Sequence, residues 1–176
     1  MRRYLLMLPV LLAAVVLAAC GGGDKKSDET AAQPTATPTD PPPGKVTVTG
    51  ALGAKPTIKI TPDNPTPPGT LVIKDLHKGK GKSAKPGDKV TVQYVGALYR
   101  DSSVFDNSWD RGKPFPFQLG AGNVIPGWDA GVKGMKVGGR RELVIPPDQA
   151  YGVQGSGSIG PNETLVFVVD LLKIKR

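Results

Sequence analysis

Hydrophobic and polar residues alternate along much of the second half of the chain. Val90, Val92 and Tyr94 are separated by Thr91 and Gln93 within Lys89–Val95, and Leu165, Phe167, Val169 and Leu171 share one face of a closing run. Successive side chains of a strand point to opposite faces, so this alternation predicts half-buried β-strands. Leu71–Leu76 and Arg141–Ile145 read as two more strands between turn-rich segments. One stretch breaks the rule. Ile125, Trp128, Val132 and Met135 are spaced by three, four and three, and Pro126 suits a helix's first turn, which predicts a single short helix over 126–132. Gly131 and Gly134 shorten it and let a sheet approach closely.

Upstream the pattern changes. Val46–Thr49 and Thr57–Ile60 alternate briefly, as two strands of an added hairpin or extended arm would, and Pro56, Pro62, Pro65, Pro67 and Pro68 around them argue for an edge or surface position. Residues 20–45 lack the aliphatic content of a core and end in Pro41-Pro42-Pro43-Gly44, so they read as a flexible tether. At about 3.1 Å per extended residue, such a tether would reach roughly 75 Å. Met1-Arg2-Arg3, an apolar run from Tyr4 to Val16 and then Leu17-Ala18-Ala19-Cys20 form a signal pattern over 1–19. The placement of Cys20, the only cysteine, resembles a bacterial lipobox, which predicts cleavage before Cys20 and lipidation of its sulfur. The expected organisation is thus signal (1–19), tether (20–45), arm or hairpin (46–68) and one catalytic or binding domain (69–176).

Composition narrows the chemistry. Only 6% of residues are aromatic, yet seven of the ten aromatics (Phe105, Trp109, Phe115, Phe117, Trp128, Tyr151 and Phe167) fall within one span of the chain. Few titratable groups accompany them, which describes an apolar pocket rather than a proton-transfer centre. His77 is the sole histidine and sits among lysines and glycines, leaving no material for a Ser-His-Asp triad or a histidine metal site. Gly138-Gly139 and Gly155-Ser156-Gly157 lack the Lys-Ser/Thr and helix that a phosphate loop requires. The net charge of +8 gathers in Lys78, Lys80, Lys82, Lys85 and Lys89, a run that reads as solvated surface rather than a nucleic-acid site.

Tyr94, Phe105-Asp106, Asp110 to Phe115, Val124 to Trp128, Gly138 to Arg141, Ile145 to Asp148, Ala150-Tyr151-Gly152 and Thr164 to Phe167, in this order and spacing, resemble the FKBP-type peptidyl-prolyl cis-trans isomerases over roughly 70–175. The resemblance implies an α+β fold, a twisted antiparallel sheet wrapped around one helix. It implies that Trp128 floors the pocket, that Tyr94, Phe105, Phe115, Val124, Ile125 and Phe167 wall it, and that Asp106 and Tyr151 are its polar contacts. It places Arg111 beside Asp106 and Ile159 on a loop over the pocket. Asp106, Tyr151, Trp128 and Phe167 are the expected catalytic set. Phe117 and Leu165 are expected in the core. Asn123 replaces a common acid, Ser156 stands where a histidine is frequent, and the Gly152–Gly160 loop, with four glycines, is one residue shorter. The resemblance implies no cofactor and no metal. Proline-containing polypeptides of the cell envelope are the expected substrates and the family's macrolides the expected inhibitors. Attachment to a bacterial membrane is expected through Cys20, facing outward, for a monomer that binds no nucleic acid.

The reaction follows from the pocket's character. Rotation about X-Pro passes a barrier of roughly 18–20 kcal/mol set by amide resonance and takes tens to hundreds of seconds unaided. The planar imide carries more charge on oxygen than the twisted one, so a dry aromatic pocket penalises the planar state more. Two function classes emerge: an isomerase assisting exported proteins, or a weakly catalytic chaperone gripping Pro-containing chains.

Overall fold

The computed structural model describes residues 43–176. The signal segment, Cys20 and nearly all of the expected tether lie outside the described residues. Strands β1 (Lys45–Thr49) and β2 (Thr57–Thr61) pair antiparallel as a hairpin. A six-stranded antiparallel sheet follows, built from β3 (Val72–His77), β4 (Lys89–Leu98), β5 (Val104–Asn107), β6 (Phe115–Gln118), β7 (Arg140–Ile145) and β8 (Leu165–Lys175). Its order is β3-β7-β8-β4-β5, with β6 also pairing to β4. One α-helix, α1 (Pro126–Val132), lies across the front. The α+β architecture is the one anticipated.

The sheet separates two apolar clusters. In front, Val90, Val92, Tyr94, Leu143, Ile145, Leu165, Phe167, Val169 and Leu171 meet Trp128 and Val132 of α1. The helix comes so near that a Cβ on Gly127 would lie 2.4 Å from Ile145 Cγ2, and one on Gly131 2.6 Å from Leu143 Cδ2. Glycine at both positions is what allows the sheet to wrap around α1.

Behind the sheet, Ile58 and Ile60 of the hairpin pack with Val95, Ala97, Tyr99, Val144, Val166 and Val168. This cover explains why β4 runs on to Leu98 instead of ending at Val95. Past Tyr94 both faces are buried, so alternation disappears. It also explains how all six residues of β7 are buried although three are charged. Arg140 is 4% exposed and binds Asp170 through Nε–Oδ1 at 2.6 Å and Nη2–Oδ2 at 2.7 Å. It also donates to the carbonyls of Gly50 (3.0 Å) and Ala54 (2.7 Å) in the hairpin loop. A buried bidentate pair with its other donors satisfied is the arrangement in which such burial is tolerated. The arm engages the domain before residue 46, because Tyr99 Oη donates to the Gly44 carbonyl at 2.9 Å and Pro43 bridges to Thr66.

Candidate active site

Several segments converge beside α1. β4 supplies Tyr94, β5 supplies Phe105 and Asp106, and the start of β6 supplies Phe115. The turn into α1 brings Asn123, Val124 and Ile125, and β8 brings Phe167. With Trp128 and Tyr151 these residues line a cavity of about 270 Å³. Small-ligand pockets begin at roughly 300 Å³, so the space suits a compact apolar group.

The floor and walls are a lattice of rings. Trp128 meets Phe167 at 5.2 Å between centroids and 89°, Tyr94 at 5.0 Å and 85°, and Phe115 at 6.1 Å and 81°. Phe105 stands edge-on to Phe167 at 5.5 Å and 86°. Edge-to-face contacts of this kind add to the stabilisation that burial alone provides and fix each ring's tilt. The Trp128 indole N–H is buried and has no partner among the described residues. Gly96, beneath Phe105 and Phe167, allows their approach: a Cβ there would fall 2.7 Å from Phe167 Cε1 and 2.8 Å from Phe105 Cζ.

One side of the cavity is polar. The Tyr94 hydroxyl donates to Asp106 Oδ2, Arg111 Nη1 donates to Asp106 Oδ1, and Arg111 Nη2 donates to Tyr94 Oη at 2.7 Å. The Asp106 carboxylate is therefore engaged through both oxygens and is ill suited to act as a free base. Burial, and then the bond to Asp106, push the Tyr94 phenol up to about 12. Tyr151 sits at the rim, 38% exposed, with its phenol raised first by burial and then by the charge of Asp106. Its hydroxyl has no hydrogen-bond partner among the described residues and stays protonated at neutral pH. It is the available donor for a bound carbonyl.

Neither Arg111 nor Ile159 lines the cavity, although Arg111 stands beside Asp106. Arg111 is exposed and lies behind Asp106, its guanidinium carbon 5.4 Å from the centroid of the Tyr94 ring, without lining the cavity. Ile159 is turned into the front core at 7% exposure because its N–H and C=O both pair with Ser156 at 2.9 Å in a tight turn. Phe117 and Leu165 are core residues as expected. Asp129 was not anticipated. Its carboxylate accepts the amides of Gly120 (2.7 Å) and Gly122 (3.1 Å), pinning the turn that carries Asn123 to Ile125. An acid in a first helical turn that lacks a capping side chain, downstream of Gly120-Ala121-Gly122, is the pattern that could have revealed it.

Residues 80–172 match the model of the family described as "FKBP-type peptidyl-prolyl cis-trans isomerase". The chain belongs to this family. It is 56% identical over 110 residues to an "FK506-binding protein" of Streptomyces anulatus, covering 61% of this chain and 89% of the relative. Against an "FK506-binding protein" of Neisseria meningitidis serogroup C it is 49% identical, covering 60% and 97%. Among solved structures it is similar to the crystal structure of FkpA from Escherichia coli, with TM-score 0.56 and 50% identity over 60% of this chain and 48% of that one. AtFKBP13 matches with TM-score 0.56 and 38% identity, over 60% of this chain and 93% of that one. The protein is thus an FKBP-type peptidyl-prolyl cis-trans isomerase, and its hairpin β1–β2 lies outside the matched residues.

Proposed function

We propose that this isomerase acts on exported polypeptides by drawing an X-Pro imide out of water into the cavity floored by Trp128. The observation that carries the reading is the composition of that cavity: a lattice of aromatic rings with one carboxylate already bonded through both oxygens. The pyrrolidine ring would bury against Trp128, Phe105 and Phe167. The Tyr151 hydroxyl would hold a flanking carbonyl while the chain rotates about one bond. Loss of hydration costs the planar imide more than the twisted one, so the barrier falls without proton transfer. Asp106, tied to Tyr94 and Arg111, shapes the wall and favours the reduced charge of the twisted carbonyl. The same cavity would accept FK506-type macrolides, in line with the names of the relatives.

The lipobox-like Leu17-Ala18-Ala19-Cys20 and the Pro-rich segment after it support a site of action outside the cytosol, on a tether from a lipid-anchored Cys20. The purified full-length chain should accelerate cis-trans interconversion of a peptide with a bulky apolar residue before proline, and an FK506-type macrolide should compete. Binding of the peptide without acceleration would favour the chaperone reading instead. Radiolabelled palmitate should enter the wild type but not Cys20→Ala in bacterial cells; equal labelling would refute the anchor.

A further inference from the structure

The fold gathers exposed cations at one end of the sheet. Lysines that follow one another in the sequence are joined there by others from distant segments. Loop 79–84 lies against the segment after α1: the Gly81 amide donates to the Val137 carbonyl and the Val137 amide to that of Lys82, both at 3.0 Å, and Ser83 bridges to Lys136. Lys80 and Lys82 therefore stand near Lys136, and all three are exposed. At the same end β4 starts and β8 stops, which sets Lys89 directly opposite Lys175 and Thr91 opposite Lys173. Like charges directly opposite one another across a strand pair work against folding.

The acids at this end are already engaged. Asp88 is buried, accepting Arg176 Nε at 3.1 Å through Oδ1 and the Lys85 amide at 3.0 Å through Oδ2. Asp75 accepts Arg141 Nε at 2.7 Å, Asp170 holds Arg140, and Asp129 is taken up by the amides of Gly120 and Gly122. None of the lysines of this face forms a salt bridge among the described residues. Their charge is also separate from that of the opposite end. β4 is ten residues long, about 33 Å at the usual strand rise, and beyond it Asp101 and Glu163 share Arg100. Screening at physiological salt acts over about 8 Å, so a partner at the lysine end does not feel those acids.

We propose that this lysine face is an interaction surface for the anionic phospholipid headgroups of a bilayer. Ammonium groups spread over two loops and two strand ends match a plane of phosphodiesters better than one compact anion. Leu172, bulged out of β8 beside Lys173 and 43% exposed, adds an apolar side chain of the kind that enters the headgroup boundary. Nucleic acid suits the face less well: among the described residues the large exposed aromatic is Tyr151, at the cavity rim, so no ring stands among the lysines to stack on a base. The contact goes beyond the anchor proposed at Cys20, although such an anchor would raise the effective concentration of headgroups around the domain. The arm meets the domain at the opposite end, where Gly44 lies against Tyr99, and a tether reaching roughly 75 Å is long enough for the lysine end to turn to the surface.

The test is amine labelling of the full-length chain reconstituted into vesicles, read lysine by lysine by mass spectrometry. An ammonium held at an anionic surface gives up its proton less readily. Lys80, Lys89, Lys136 and Lys175 should therefore label about five-fold more slowly on vesicles with about 30% phosphatidylglycerol than on phosphatidylcholine alone. Lys59, on the exposed face of β2, should label alike on both, and about 0.5 M salt should abolish the difference. The double variant Lys80→Glu with Lys136→Glu, confined to exposed positions outside the strands, should melt as wild type does and lose the protection of Lys89 and Lys175. Equal labelling of the face on both vesicles would overturn the inference. So would equal protection by free inorganic phosphate or by a duplex oligonucleotide at the same salt, which would assign the face to a small anion or to nucleic acid. Acceleration of a proline peptide is a separate readout, so failure of the cavity reading and failure of this one are told apart.

Discussion

Trp128 and Phe167 stand perpendicular, 5.2 Å apart, one carried by the short helix and the other by the long last strand. Neither ring can be replaced without opening the floor or wall of the cavity. Trp128→Leu should reduce kcat/KM by about 10- to 100-fold, since roughly 1.5–3 kcal/mol of apolar contact with the transition state disappears. Stopped-flow isomerisation assays with several substrate concentrations would check this. An activity equal to wild type would remove the ring from the reaction.

Gly96 offers a subtler probe because it lies under the wall without lining the cavity. Gly96→Ala forces Phe105 and Phe167 apart by placing a methyl group 2.7–2.8 Å from their ring carbons. Overpacking of this kind costs about 1–3 kcal/mol of stability, and the displaced rings should weaken macrolide and peptide binding together. Calorimetric titration beside thermal melting would separate the two effects.

The buried Arg140–Asp170 pair should prove structural. Arg140→Met leaves Asp170 without its partner at 4% exposure and frees the hairpin loop, a loss of about 3–5 kcal/mol of stability. Urea unfolding followed by tryptophan fluorescence reads it directly. A shift of less than about 1 kcal/mol would mean that the pair contributes no more than an exposed one.

Glu142 carries the clearest pH dependence. It is 5% exposed, its Oε2 lacks a hydrogen-bond partner among the described residues, and burial raises its carboxyl above the usual 4.5, an effect that the charge of Lys74 opposes. A folded-state pKa above the unfolded one gives stability that is complete below pH 4.5 and is lost as pH rises through the folded value. Glu142→Gln should therefore melt higher than wild type at neutral pH, with the difference closing on acidification below that value. Melting curves at several pH values test the sign.

Much of this was legible in the sequence because the front face obeys simple periodicity. Val90, Val92 and Tyr94 on β4 and Leu165 to Leu171 on β8 alternate since one side meets the helix and core. The bounds Pro126–Val132 follow from the proline and the spacing of Ile125, Trp128 and Val132. The rear face was harder to read. Arg140 and Glu142 look like solvent positions until the hairpin is known to cover them, and Val95 to Leu98 lose their alternation for the same reason. β5 and β6, four residues each, are too short for a period to show and are defined by pairing with β4. Ile159 packs into the front core, and the mutual hydrogen bonds with Ser156 that hold its turn leave no pattern in side-chain types. Lys55 and Asp110 are 55 residues apart, a contact that no local signal announces.

The central claim is that catalysis comes from a dry aromatic cavity and not from proton transfer. The most direct measurement is kcat/KM for a proline peptide from pH 6 to 9, with wild type and Trp128→Leu side by side. With Tyr94 held near 12 and Tyr151 raised by burial, neither phenol titrates in this range, so wild type should be flat and the variant uniformly low. A bell-shaped wild-type profile, or full activity without the Trp128 ring, would contradict the account.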